Sequence, residues 1–156
     1  VTADGDDLFC EPGLIDLAFQ QYDTTGVDFI KSDEIICGAF TYGIKYDALK
    51  KVCEIKDTED TEMMWVYFTD TNIFDVQELA GVPDTFKRND IRMTLDYEDD
   101  FKFFSEVIES FENENYSLGD IVNLVDHKPY IKDINFYLQD QWKANQDLKT
   151  NLKIKQ

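Results

Sequence analysis

The chain has 156 residues, 43% hydrophobic and 14% aromatic, and carries 33 acidic against 15 basic side chains for a formal charge of −18. That length and apolar content suit one compact domain with a real core, or part of a larger one, and argue against disorder. A field this negative repels nucleic acid and anionic lipid, and no run of about 18 apolar residues offers a membrane span, so neither is expected as a partner.

The opening, VTADGDDLFCEP, is a short apolar step running into Asp4, Asp6, Asp7 and Glu11. It reads as the last part of a strand with acid at its tip, which implies elements upstream. Leu14, Ile15, Leu17, Ala18 and Tyr22 fall at helical spacing, Pro12 suits the first helical position, and TTG at 24–26 is a stop. Residues 27–30 and 35–40 read as short strands, 46–55 as a helix, and 57–62 (DTEDTE) as an acidic turn before the aromatic 63–68 segment. Residues 72–79 read as a strand sliding into a helix start, 81–90 as a loop, and 91–95 (IRMTL) as a strand ending abruptly at Asp96. Phe101, Phe104, Ile108 and Phe111 mark one face of the next helix. Ser117 and Asp120 resemble a capping box, followed by Leu118, Ile121, Val122 and Val125 at core spacing. Pro129 precedes a last helix carrying Ile131, Ile134, Leu138 and Trp142, and the end of the polar tail 147–156 is expected to fray. Strands alternating with helices argue an α/β layer fold in one domain spanning 1–156.

In open α/β sheets, ligands gather at the carboxyl ends of strands. TADGDD and TLDYEDD both put acid there. If the two strands are neighbours, Asp6 and Asp96 face one crevice, and a pair of hard carboxylates suits Mg²⁺ completed by water and substrate phosphates. Taken singly, Asp4, Asp7, Asp99 and Asp100 read as solvated turn or helix-start residues. DTEDTE lacks the glycine and ligand spacing of an EF-hand. His127, the single histidine, reads as a surface residue at a helix end, and no nucleophilic triad can be built on it. Cys10, Cys37 and Cys53 are scattered and odd in number, which fits a reducing cytoplasm rather than a disulfide or zinc framework.

The stretches IRMTLDYEDDFKFFSEVIESF and YSLGDIVNLVDHKPYIKDIN resemble the C-terminal region of the cytidylyltransferase family, which includes the spore-coat polysaccharide type and the synthetases of CMP-activated acid sugars. The family pattern R-x-T-[VL]-D-x-x-x-D-[LF], a helix, then S-x-x-[DE]-[IL] falls on Arg92, Thr94, Leu95, Asp96, Asp100, Phe101, Ser117, Asp120 and Ile121. The opening is similar to the family's acidic element, with Pro12 and Leu14-Ile15-Asp16 as its second half. The segment from Gly43 to Thr71 is similar to its central insertion.

The resemblance implies a nucleotide-diphospho-sugar transferase fold, a Rossmann-like three-layer α/β/α sandwich. It implies transfer of CMP from CTP to a sugar or acid sugar with release of pyrophosphate, Mg²⁺ as cofactor, and a cytoplasmic homodimer serving surface-glycan synthesis. Asp96 carries over as one metal ligand. For the other, counting back from Pro12 gives Asp6, and counting forward from Thr2-Ala3 gives Asp4. Arg92 and Lys45 are candidates for contacting an acidic sugar or phosphate; a salt bridge within the acidic surface competes for Arg92, and a plain surface lysine for Lys45. Loops 35–46 and 57–72 would select the sugar, and the aromatic 63–68 segment is core or dimer interface. The family's glycine-rich nucleotide loop has no counterpart among the seven scattered glycines. Residues 1–156 therefore read as the second half of the family's domain. A non-catalytic binding or assembly module of the same fold is the alternative, with an acidic calcium-binding domain third.

Overall fold

The computed structural model describes residues 1–59, 62–113 and 115–155, so residues 60 and 61 of the expected acidic turn, and Gln156 of the tail, lie outside the described set. Helix α1 (Pro12–Thr25) begins where Pro12 fits without a lost hydrogen bond, and the Glu11 carboxylate accepts from the Gly13 amide at 3.0 Å. It ends where Gly26 takes a left-handed φ of 68° and returns its amide to the Tyr22 carbonyl. Its buried face is Leu14, Ala18 and, unexpectedly, Gln21. The Gln21 amide spans to the sheet, donating to the Glu78 carbonyl and accepting from the Ala80 amide at 2.8 Å. A buried amide is tolerated when its polar atoms are met in this way.

The sheet is small and mixed. Strand β1 (Phe29–Lys31) lies between β2 (Gly43–Ile44), which is antiparallel to it, and β3 (Val76–Glu78), which is parallel. Helices α2 (Tyr46–Ile55) and α3 (Val66–Thr69) lie in the crossover from β2 to β3. Phe29 stacks on Phe68 with centroids 4.6 Å apart and shares a core with Ala48, Val52, Val66 and Tyr67. Val66, Tyr67 and Phe68, at 2% exposure or less, are thus interior, while Met63, Met64 and Trp65 are half-buried.

The strand expected at 35–40 is a turn instead, with the Ile35 amide on the Ser32 carbonyl and the Ala39 amide on the Ile36 carbonyl. Only Cys37 pairs, bridging Arg92 in parallel. Gly38 explains the turn: its φ is 88°, and a Cβ there would sit 2.0 Å from the Met93 carbonyl oxygen. The 91–95 segment is extended but makes that single bridge rather than a regular ladder.

Helix α4 (Glu98–Glu109) buries Asp100, Phe103, Phe104 and Val107. The expected stripe is therefore rotated: Phe101 is 64% exposed and Ile108 47%. Helix α5 (Leu118–His127) keeps both halves of its Ser117–Asp120 capping box and buries Leu118, Ile121, Val122 and Val125. With α1 and α4 these side chains form the larger core. The single helix expected after Pro129 is broken into α6 (Tyr130–Asp133), a 3₁₀ turn (Phe136–Leu138) and α7 (Gln139–Lys149). The break falls at Asn135, a fully buried side chain that donates to the Arg92 carbonyl and the Asp100 carboxylate. The described part of the tail docks: Ile154 bridges Lys56, and the Lys153 carbonyl accepts from the Asp57 amide and the Tyr67 hydroxyl. Among the described residues no helix is long and apolar enough to cross a membrane.

Candidate functional site

Thr2 pairs with Tyr42 beside the end of β2, and the chain then turns so that the Asp7 amide meets the Asp4 carbonyl at 3.2 Å and the Cys10 amide meets the Asp7 carbonyl at 3.1 Å. This folds three carboxylates together: oxygens of Asp4, Asp6 and Asp7 all lie within 4.8 Å of one another. The Leu95 amide donates to the Asp6 carbonyl at 3.0 Å, which brings the end of the 91–95 segment alongside the turn. The two acidic stretches are therefore adjacent in space.

Asp7 is the most enclosed of the three. Its Oδ2 accepts from the Thr41 hydroxyl at 3.2 Å, and Thr94 lies beside it. The Thr94 hydroxyl donates to Asp96 Oδ2 at 3.3 Å, so it sits between a carboxylate from each stretch. Burial, then the neighbouring Asp6 charge, pushes the Asp7 carboxyl up to about 6, against the opposing Thr41 bond. Asp4 is raised for the same two reasons, burial and Asp6. The three carboxylates crowd together without a basic partner bonded to them among the described residues, and the donors they offer are all hard oxygens. Asp4, Asp6 and Asp7 fit an oxygen-preferring dication such as Mg²⁺, and no soft ligand is among them.

Asp96 is held from behind. Its Oδ2 accepts from Arg92 Nη2 at 2.7 Å, and its side chain remains 27% exposed. Arg92 is fully buried. Nε and Nη2 engage the two oxygens of Asp100 at 2.9 and 3.1 Å, and Nη1 donates to Gln139 Oε1 at 3.2 Å. The rings of Trp142 and Tyr97 lie 5.2 and 5.6 Å from the guanidinium carbon. Asp100 also accepts from the amides of Asp96 and Tyr97 and from Asn135, which explains the abrupt end of the extended segment at Asp96. Burial alone would raise the Asp100 carboxyl; the Arg92 bonds, the Asp96 amide and Asn135 outweigh it and hold it below the ordinary carboxylate value.

Of the residues singled out in the sequence, the structure gathers Asp4 and Asp6 in one turn and sets the Asp96 segment beside them. Arg92 is adjacent but enclosed, so it orients Asp96 rather than meeting a ligand. Lys45 is elsewhere: its Nζ bonds Asp28 Oδ1 at 3.1 Å and the Gly26 carbonyl, beside an apolar cavity of about 200 Å³ between α1 and β2. His127 is exposed in the last turn of α5. Asp7 and Asp100, which read as solvated, are the two carboxylates most deeply involved. Thr41, Asn135 and Gln139 carry no local signal, because each acts on residues far away in the chain. Asp100 alone had a visible clue, its place in the R-x-T-[VL]-D-x-x-x-D spacing.

The fold resembles that of a cytidylyltransferase from Leptospira borgpetersenii, with a TM-score of 0.69 and 19% identity over 81% of this chain and 55% of that one. The likeness shows the fold. By sequence, the chain is 30% identical over 137 residues to an uncharacterized protein of Methanocaldococcus jannaschii, covering 86% of this chain and 56% of that protein. The chain thus spans about half the length of both proteins. No protein-family model matches it.

Proposed function

We propose that the chain is the metal-binding part of a cytidylyltransferase that moves CMP from CTP to a hydroxyl of a sugar or acid sugar, with Mg²⁺ held between Asp6 and Asp96 and assisted by Asp4 and Asp7. One observation carries the reading: the hydrogen bond from the Leu95 amide to the Asp6 carbonyl, which joins the two acidic chain ends on a fold like that of a cytidylyltransferase. In such a transfer the sugar oxygen bonds the α-phosphorus, the bond to the β-phosphate breaks, pyrophosphate leaves with the electron pair, and the hydroxyl proton passes to water. A bound Mg²⁺ would offset the phosphate charge that the acidic chain otherwise repels. Arg92 and Thr94 hold the Asp96 carboxylate in one orientation, and Thr41 bonds that of Asp7. The reading includes a glycine-rich nucleotide loop outside residues 1–156, a Rossmann-like complete domain, and a cytoplasmic homodimer in surface-glycan synthesis.

Calorimetric titration of CTP into the chain, with and without Mg²⁺ and repeated with Asp96→Asn, tests it. Magnesium-dependent binding that is lost in the variant is the expected result. Binding that ignores both the metal and the substitution refutes the site. No binding under any condition leaves the family reading standing and marks residues 1–156 as half an active site that needs the nucleotide loop.

A further inference from the structure

The helix α7 lies outside every stretch that carries the sequence resemblance, yet it reaches the candidate site through one side chain. The Arg92 guanidinium has three nitrogens to place in a fully buried setting. Asp100 takes Nε and shares Nη2 with Asp96, which leaves Nη1. Gln139 Oε1 accepts from Nη1 at 3.2 Å, and the Trp142 ring covers the guanidinium at 5.2 Å. Helix α7 is itself tethered: Asn145 donates to the Tyr97 hydroxyl at 3.0 Å, Lys149 pairs with Glu62 at 2.5 Å, and Ile154 beyond it bridges Lys56.

Resting on the metal-site reading above, we infer that Gln139 and Trp142 are positioning residues that aim the Asp96 carboxylate at a divalent cation by fixing the rotation of Arg92. Asp96 Oδ2 is tied to Arg92 and Thr94, while Oδ1 has no hydrogen bond among the described residues and is the oxygen left for an ion. A guanidinium without Gln139 carries a buried N–H lacking its acceptor. With its plane no longer pinned through Nη1, the guanidinium keeps its bidentate bonds to Asp100 and loosens its single bond to Asp96. A carboxylate free to rotate must be ordered again by the ion, and outer partners of this kind typically change metal affinity by about 10- to 100-fold.

The test is Mn²⁺ binding to the 156-residue chain at pH 7.5, followed by the electron paramagnetic resonance signal of the free ion, with urea melts of every variant. Gln139→Leu and Trp142→Leu should each weaken Mn²⁺ about tenfold, and Trp142→Phe, which keeps a ring over the guanidinium, should restore most of the affinity. In the Asp96→Asn background, Gln139→Leu should have no further effect, because its action passes through Asp96. A merely structural role would lower the melts and leave no such coupling. If Asp96→Asn weakens binding and the α7 variants do not, the inference is overturned and the site stands. Tighter binding in the α7 variants overturns it too, since Arg92 would then compete with the ion. If Asp96→Asn changes nothing, or the parent chain binds no Mn²⁺, the site reading fails and the inference falls with it.

Discussion

Replacing Asp7 with asparagine removes a charge that the folded chain accommodates poorly and leaves an amide oxygen for the Thr41 hydroxyl. The carboxyl titrates at about 6 in the fold against an ordinary 3.8, because burial and Asp6 disfavour its ionised form. The folded state therefore binds the proton more tightly, and stability falls as pH rises from about 4 to about 6, then levels off. The gap is roughly two pH units at about 1.36 kcal/mol each, so the ionised group costs about 3 kcal/mol at pH 7.5 and almost nothing at pH 3. In a chelator-containing buffer, Asp7→Asn should then melt about 6–12 °C above the parent at pH 7.5, a lead that shrinks steadily below pH 6 and is nearly gone at pH 3. Thermal melts by circular dichroism from pH 3 to 8 measure this directly. Adding Mg²⁺ should narrow the lead at pH 7.5, because the ion stabilises only the parent's carboxylate. A lead that is constant across the pH range, or a variant less stable than the parent at pH 7.5, refutes the account of Asp7 as a buried, strained carboxylate.

Asp100→Ala leaves Arg92 buried beside a single carboxylate and strips the caps from the Asp96 and Tyr97 amides; a loss of about 3–5 kcal/mol in urea unfolding is expected. Because the Asp100 carboxyl is held below its ordinary value, its contribution is present above about pH 4 and disappears as pH falls further, so the parent-to-variant gap should close in acid. Gly38→Ala must adopt a positive φ and push its Cβ into the Met93 carbonyl, which should cost about 2–5 kcal/mol and weaken Mn²⁺ binding through the displaced 92–96 segment. On α4, Phe103→Ala should cost about 3–5 kcal/mol, while Phe101→Ser should stay within about 0.5 kcal/mol; equal effects would refute the rotated face.

Helix α1 was legible almost to the residue because proline and glycine act at its two ends within the local chain. Helix α5 was legible for the same reason, through its capping box and its i, i+3, i+4, i+7 pattern. The α4 face was not, because Phe101, Phe103 and Phe104 in its 12 residues leave the inward stripe to what lies beneath. That surface includes Asn135 and the Arg92–Asp100 pair, so the polar residue Asp100 turned inward and Phe101 outward. The 35–40 segment failed likewise: its composition suits a strand, but the Met93 backbone approaches Gly38 too closely for a regular ladder. The broken C-terminal helix has no proline or glycine at its break, so nothing local marks it.

For the candidate site, local chemistry was enough to pick out two acidic chain ends, since carboxylates gathered after apolar runs are visible in any sequence. The ranking among those acids was a tertiary matter. Asp7 lies one residue from Asp6, and no periodicity says which of the two turns toward Thr41 and Thr94. Arg92 could be a ligand contact or a structural ion pair by sequence, and enclosure by Asp100, Gln139 and Trp142 decides for the second. Composition and spacing thus determined helices α1 and α5 with their caps, and the presence of acid after two apolar stretches. The tertiary structure decided which carboxylates are buried and what holds them, because desolvation and hydrogen-bond geometry depend on neighbours that the chain brings back from dozens of residues away.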